Sequence, residues 1–189
     1  MKIVMMGPGA MGSLFGGLLA RAGEELWLVG YLEEQVDTIR SVGLTFEEKG
    51  KTKIIPMNAT PDVTSIGKAD LVIFFVKTYD TEKAVSDALV LEKEDTIFLT
   101  LQNGLGNEEV ICKQVDPKKV ILGVTGHGAT LLRPGHIRHA GWGKRLSGNW
   151  TIGSQTVPFR LLRCLVGQEL KQKSPRISMK TCGGNSWSM

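Results

Sequence analysis

The chain has 189 residues, of which 42% are hydrophobic and 22% are charged, and its formal net charge at pH 7 is +4. This composition is typical of a soluble protein with one substantial core, and no apolar run approaches the roughly 18 residues that span a membrane. The small positive charge only weakly supports nucleic-acid binding, and the three widely separated cysteines predict no zinc or other metal site. We therefore expect a cytoplasmic protein with no membrane or nucleic-acid partner.

The first sixteen residues combine an apolar run, a glycine-rich turn and the start of a helix. Residues 2–6 are short and apolar enough to be a buried strand, and from Ala10 to Leu19 the apolar residues recur at helical spacing. Gly7 permits a tight turn, Gly9 lets the backbone approach a pyrophosphate, and Gly12 lets the helix sit close to the strand. The segment between strand and helix, called the glycine turn below, consists of Gly7, Pro8, Gly9, Ala10, Met11 and Gly12.

This arrangement is the dinucleotide-binding fingerprint in its strand-turn-helix context. The first N–H groups of the helix, at its positive dipole end, would face an anion. A second apolar segment at 25–30 completes a βαβ unit of about 30 residues. A glycine-rich loop without a ligand is the alternative, and the βαβ context favours nucleotide binding over it.

Helix and strand patterns then alternate along the chain. Such alternation predicts an α/β fold with a Rossmann-type, doubly wound and mostly parallel sheet. In chain order we predict a surface helix over 32–42, a hairpin or two edge strands over 44–59, a short helix or turn over 62–68, a buried strand over 71–76, a helix over 81–91, a buried strand over 96–101, a helix over 107–115 and a strand over 120–124.

Three polar residues follow predicted strands, and ligands of such sheets bind at the carboxyl ends of the strands. Lys77 follows one buried strand and Asn103 the next, so both are placed to reach a cofactor lying over Gly9. Other roles remain open, because a lysine there can simply be solvated and Asn-Gly is a common turn dipeptide. His127 also follows a strand, and a lone histidine is more often structural than catalytic.

Four segments in this order resemble the ketopantoate reductase (2-dehydropantoate 2-reductase) family. They are residues 7–16, 77–81, 102–109 and 123–143, and the resemblance covers about residues 1–153. It implies that 1–153 is a dinucleotide-binding domain whose glycine turn holds NADPH. It also implies that Lys77 and Ala129 line the cofactor and that Asn103 contacts both cofactor and substrate. The implied activity is the NADPH-dependent reduction of ketopantoate to pantoate, a step towards pantothenate and coenzyme A.

The sequence departs from the family after the second predicted strand. The family often carries an arginine there for the 2'-phosphate of NADPH, whereas this chain has Tyr31. The strand also does not end in an aspartate or glutamate, the residues that bind the ribose hydroxyls in NAD-dependent enzymes. The resemblance therefore favours NADP over NAD, with Lys77 as a contributor of positive charge.

A second departure concerns the proton donor. The family supplies a lysine in a Trp-x-Lys segment that opens a helical second domain, and no such segment follows Gly153. We expect 154–189 to be a non-homologous tail, either divergent or out of frame. Residues 182–189 can be encoded by codons that, when two bases are discarded, read Trp-Gly-Lys-Leu-Leu-Val-Asn. This product resembles the missing Trp-x-Lys segment, so a shift of the reading frame from about Gly167 would explain the tail. We expect the chain as written to be inactive or nearly so.

Two other functions stay open at this point. The chain could be an NADP(H)-binding module without catalysis, or another 2-keto acid or 3-hydroxy acid dehydrogenase that shares the cofactor fold. The expected partner in the enzymatic cases is a small 2-keto acid. Self-association into a homo-oligomer is left open.

Overall fold

The computed structural model describes residues 1–104, 106–123 and 125–142. Predictions about the 154–189 tail lie outside these residues. The helices are α1 (Ala10–Arg21), α2 (Glu33–Val42), α3 (Thr81–Ala88) and α4 (Asn107–Cys112). The strands are β1 (Lys2–Met6), β2 (Glu25–Val29), β3 (Leu44–Glu48), β4 (Lys51–Ile55), β5 (Asn58–Thr60), β6 (Leu71–Phe74), β7 (Ile97–Thr100), β8 (Val120–Leu122), β9 (His127–Arg133) and β10 (His136–Trp142).

Six strands form a parallel sheet in the order β5-β2-β1-β6-β7-β8. All residues of β6 and β7 are buried, as expected for parallel strands covered on both faces. The predicted Rossmann-type fold is therefore confirmed, with elements that end up to three residues earlier than the patterns indicated. The turn predicted over 62–68 contains a short 3₁₀ helix, and another 3₁₀ helix follows α3.

A second sheet, in the order β4-β3-β10-β9, was not predicted as such. For 44–59 the sequence predicted a hairpin or two edge strands. In the structure β3 and β4 form a hairpin, and β5 is an edge strand of the parallel sheet. Strand β10 pairs parallel with β3 and antiparallel with β9. Of the described helices, none is long and apolar enough to cross a bilayer.

Helix α1 lies between the two sheets, and consecutive glycines let it contact both. A Cβ atom on Gly16 would lie 2.9 Å from a methyl of Leu26 in β2, and one on Gly17 would lie 2.8 Å from the Phe46 ring in β3. Because any side chain at these positions would push a sheet away, the glycines set the spacing between α1 and its neighbours. The helix thereby holds the glycine turn at a fixed place over the parallel sheet.

The buried side chain of Gln35 in α2 joins the glycine turn to the second sheet. Its amide N–H donates to the carbonyl of Pro8 at 2.9 Å, and its oxygen accepts from the N–H of Gly135 at 2.7 Å. Ser13 donates to the same Pro8 carbonyl at 3.0 Å. Gly135 lies in the β9–β10 turn, 100 residues after Gln35, so this hydrogen bond joins segments that are far apart in the chain.

We predict that Gln35→Leu lowers the free energy of unfolding by roughly 1–3 kcal/mol, because the buried N–H of Gly135 would lose its acceptor. Urea denaturation is the measurement. Gln114→Leu is the matched control, since the Gln114 amide makes an exposed hydrogen bond to the Glu82 carbonyl, and its loss should stay within about 0.5 kcal/mol. Equal losses in both variants would contradict the bridging role of Gln35.

Candidate functional site

The glycine turn has the geometry that its sequence predicts at each of its three glycines. Gly7 has φ of +104° and donates its N–H to the carbonyl of Val29 at 2.9 Å. A Cβ atom on Gly12 would lie only 1.9 Å from the carbonyl oxygen of Gly7, so the helix can approach the turn only without a side chain there. A Cβ atom on Gly9 would meet nothing within 4 Å. The space over Gly9 is therefore open.

The N-terminus of α1 differs from those of the other described helices. Gly9 is its N-cap residue and provides no side-chain cap, and the first turn contains no acidic residue. By contrast, the first turns of α2, α3 and α4 all contain glutamate. Acidic side chains at a helix N-terminus compensate its positive dipole end. The start of α1 lacks this compensation and faces the open space over Gly9, which suits an anion.

The end of β2 lies directly against the glycine turn. A Cβ atom on Gly30 would lie 2.2 Å from the Pro8 ring, so the backbone of Gly30 packs closely against the turn. Tyr31 is the next residue in the chain. Tyr31 is exposed, and its hydroxyl donates to Asp87 of α3. The ammonium group of Lys83 lies 4.5 Å from the centre of the Tyr31 ring and donates to Asp87 at 2.6 Å. The charged cluster of Tyr31, Lys83 and Asp87 thus links β2 to α3.

The ionisation of this cluster is set by its own contacts. Burial and the neighbouring Asp87 raise the pKa of the Tyr31 hydroxyl above its ordinary value of 10.0. Burial opposes ionisation of Asp87, but hydrogen bonds from Lys83 and Tyr31 outweigh it and lower the pKa of that carboxyl. The hydrogen bond to Asp87 raises the pKa of Lys83. At neutral pH the cluster therefore holds a cation and a carboxylate beside a neutral phenol.

A buried polar network joins the two loops that carry Lys77 and Asn103. The Gln102 amide donates to the carbonyl of Val76 and to the hydroxyl of Thr81, both at 2.8 Å. Since Val76 precedes Lys77 and Gln102 precedes Asn103, these bonds fix the two loops side by side. Lys77 and Asn103 follow the carboxyl ends of the neighbouring strands β6 and β7, as the sequence predicted, and both side chains are exposed there.

The same network fixes the backbone after Asn103. Asn107, fully buried at the start of α4, donates to the carbonyl of Asn103 at 3.2 Å, and its oxygen accepts from Thr81 at 3.4 Å. Gly104 has φ of +98°, so this is a tight turn as the Asn-Gly dipeptide predicted. The turn is held from below by buried polar side chains, which leaves its outer face available to a ligand.

Ala129 and His127 lie in β9 of the second sheet. The sequence placed His127 at the end of a strand. In the structure it begins β9, and a short connection separates it from β8, the last strand of the parallel sheet. Its ring packs edge-on against Phe15 of α1 with 5.1 Å between ring centres. Ala129 packs against the same core. Both residues therefore face the helix that begins at the glycine turn.

A chain of contacts continues from His127 into the second sheet. Nδ1 of His127 lies 3.3 Å from Nε2 of the buried His139, whose Nδ1 lies 2.8 Å from a carboxylate oxygen of Glu48. Burial opposes ionisation of Glu48, but His139 and Arg21 outweigh it and lower its pKa. This arrangement is consistent with the structural role that was the favoured interpretation of His127.

A cavity of about 410 Å³ lies away from these loops. It is lined by residues at the end of α1, the start of β2, the end of α2 and the connection from β4 to β5, among them Glu24, Arg40 and Pro56. Ligands of parallel α/β sheets bind at the carboxyl ends of the strands, whereas this cavity adjoins the amino end of β2. We therefore place the candidate site in the open space over Gly9, beside the loops that carry Lys77 and Asn103, and call this region the groove.

The sequence interpretation missed the residues that support the site. Gln35, Thr81, Gln102 and Asn107 are all buried and polar, and each holds a loop of the groove through hydrogen bonds. A signal was available for Gln102, which comes directly after a buried apolar strand. Thr81 lies in the 77–81 segment that resembles the family, whereas no local signal distinguished Gln35 from the ordinary surface residues of its helix.

Comparison with known proteins identifies relatives of this chain. A family model described as ketopantoate reductase PanE/ApbA matches residues 3–151. The 2-dehydropantoate 2-reductases of Pyrococcus horikoshii and Halobacterium salinarum are 40% identical over 155 residues and 38% identical over 151 residues. A D-mandelate dehydrogenase solved with NADH and anilino(oxo)acetate matches with a TM-score of 0.71 at 36% identity, over 75% of this chain and 46% of that one.

These relatives are longer than this chain. The alignments with the two 2-dehydropantoate 2-reductases cover 81% and 79% of this chain but 49% and 50% of the relatives. The chain thus spans about half the length of the curated relatives that it matches.

We predict that Gly12→Ala lowers the free energy of unfolding by about 3 kcal/mol or more, because its Cβ atom would overlap the carbonyl of Gly7. Gly9→Ala is the matched control in the same turn. Gly9 has φ of −69° and open space around it, so this change should stay within about 0.5 kcal/mol. Urea denaturation of both variants measures the difference, and a stable Gly12→Ala protein would contradict the described contact.

Proposed function

This chain belongs to the ketopantoate reductase family, and we propose that its glycine turn binds NADPH for the reduction of ketopantoate to pantoate. The family binds nicotinamide dinucleotides and its members are oxidoreductases. The observation that carries the proposal is the open space over Gly9 at the uncompensated N-terminus of α1. A pyrophosphate there would receive backbone N–H groups from Ala10 and Met11.

The remaining site residues take the roles that the family resemblance implies. Lys77 and Ala129 line the cofactor, and Asn103 contacts both the cofactor and the substrate. The support for Lys77 and Asn103 is their exposure on two loops that the Gln102 amide holds together. The support for Ala129 is its packing against the core that contains α1. Together with the glycine turn, these residues would line one continuous groove.

The chemistry sets a requirement that the described residues do not meet. Bound NADPH supplies a hydride to the ketone carbon, and the negative charge that develops on the ketone oxygen needs a proton donor. Within residues 1–104, 106–123 and 125–142, Asn103 is the polar side chain best placed to contact the substrate, and an amide is not a general acid. We propose that the donor lysine belongs to the second half of a complete enzyme and that 1–153 is the cofactor domain.

NADPH is preferred over NADH in this proposal. No carboxylate ends β2, so nothing in that strand would bond the ribose hydroxyls or repel a 2'-phosphate. The related D-mandelate dehydrogenase was solved with NADH, so a preference for NADH is the alternative to test. Titrating both cofactors decides between them, and tighter binding of NADH would reverse the assignment.

A second candidate substrate class follows from the same relative. That enzyme was solved with anilino(oxo)acetate and is 36% identical to this chain over an alignment that covers 46% of the enzyme. Reduction of another 2-keto acid is therefore the alternative to ketopantoate reduction. A panel of 2-keto acids tested with a complete enzyme that carries this cofactor domain separates the two.

We predict that Gly9→Val weakens NADPH binding by at least about tenfold, a difference of about 1.4 kcal/mol, because its side chain would stand where the pyrophosphate approaches the backbone. A fluorescence titration measures the affinity. Gly9→Ala is the graded control and should give a smaller loss. Unchanged NADPH affinity in a folded Gly9→Val protein would overturn the placement of the pyrophosphate.

We predict that the 189-residue chain reduces ketopantoate at least about 10²- to 10⁴-fold more slowly than a complete enzyme, since positioned acid catalysis alone contributes that much. The assay follows NADPH consumption with ketopantoate. The out-of-frame hypothesis for the tail is tested separately by the DNA from codon 150 onward. An alternative frame that closes before the Trp-Gly-Lys codons would exclude it, and turnover near that of a complete enzyme would contradict the inactivity.

A further inference from the structure

The 2'-position of a bound adenosine ribose lies at the end of the second strand in a dinucleotide-binding βαβ unit. In this chain that place is occupied by Tyr31, directly after the contact between Gly30 and Pro8. A phenol can donate one hydrogen bond to a phosphate but carries no positive charge. Any selectivity for a 2'-phosphate therefore needs a cation from another element.

The cation that lies against Tyr31 in the described part of the chain is Lys83, 52 residues further along. Its Nζ atom is 3.1 Å from the Tyr31 hydroxyl oxygen and 4.5 Å from the ring centre. The contact arises because β2 and β6 both flank β1 in the sheet, so the end of β2 and the helix that follows β6 stand on either side of the glycine turn. Lys77, which the sequence suggested for this role, lies before that helix.

We propose that Lys83 binds the 2'-phosphate of NADPH and is the residue that makes this chain select NADPH over NADH. The inference rests on the proposed function, because it concerns a specificity-determining residue of the same cofactor site. Cation–π contact with Tyr31 and the ion pair with Asp87 hold Lys83 at the end of β2. Tyr31 contributes its hydroxyl as a second donor to the phosphate.

Asp87 has to yield for the phosphate to bind, and its environment permits this. The side chain of Lys83 is 63% exposed, and exposed ion pairs are weak because water and salt screen them. A phosphate monoester carries nearly two negative charges at neutral pH, so it competes well with one carboxylate for the same ammonium group. The hydrogen bond from Tyr31 to Asp87 is likewise free to transfer to a phosphate oxygen. In the free protein Asp87 therefore orients Lys83 by pairing with it. When the cofactor binds, the negative charge of Asp87 repels the 2'-phosphate.

The test compares binding of NADPH, NADH, 2',5'-ADP and 5'-AMP to the wild-type chain and three variants. Lys83→Gln removes the cation and Asp87→Asn removes its competitor. Lys93→Gln is the matched control, because Lys93 also pairs with a half-buried aspartate, Asp70, at the amino end of β6 and far from the turn. Circular dichroism confirms that each variant is folded.

The proposal expects Lys83→Gln to weaken NADPH and 2',5'-ADP by about fivefold or more and to leave NADH and 5'-AMP within about twofold. Asp87→Asn should tighten NADPH, and Lys93→Gln should change neither cofactor. An equal loss for both cofactors in Lys83→Gln, or no loss, overturns the role of Lys83. Weaker NADH binding in Asp87→Asn also overturns it, because that carboxylate would then serve the ribose hydroxyls. No binding of any of these ligands to the folded wild-type chain overturns this proposal and the proposed function together.

Discussion

The structure depends on how closely α1 approaches the elements around it. A side chain at Gly12 would overlap the carbonyl of Gly7, and side chains at Gly16 and Gly17 would collide with β2 and β3. Close packing in protein interiors means that one added methyl group at such contacts has to displace a whole element. The absence of side chains at these three glycines therefore fixes both the distance of α1 from the two sheets and the position of the glycine turn.

Buried amides then hold the loops around this helix in place. Gln35 joins the glycine turn to the β9–β10 turn, and Gln102 joins the loop before Lys77 to the loop before Asn103. Buried polar groups are costly when they lack partners, so each amide favours only the loop arrangement that satisfies it. The groove edge is thus formed by exposed side chains on loops whose backbones are held from beneath. Such an arrangement presents ligand-binding groups with little freedom to reorganise, which favours binding.

The sequence predicted what is local and could not predict what depends on distant contacts. The glycine turn and the buried strands β1, β6 and β7 were recognised because each is encoded within a few consecutive residues. The second sheet was missed because β10 pairs with β3 across 91 residues, and because His139 occupies a buried position that an apolar residue would ordinarily mark. The exposed residues of β9 show no alternation that would indicate a strand. Contact between Lys83 and Tyr31 was invisible for the same reason, since the topology of the sheet alone brings them together.

Amide NMR of the wild-type chain during NADPH titration tests most directly whether a dinucleotide lies over Gly9 at the start of α1. If it does, the largest shifts will occur at the backbone N–H groups of Gly9, Ala10 and Met11, with further shifts at Lys77 and Asn103. Residues that line the cavity at the amino end of β2, such as Arg40 and Asn58, should not respond. Shifts centred on that cavity, with none at the glycine turn, would contradict binding of the dinucleotide over Gly9.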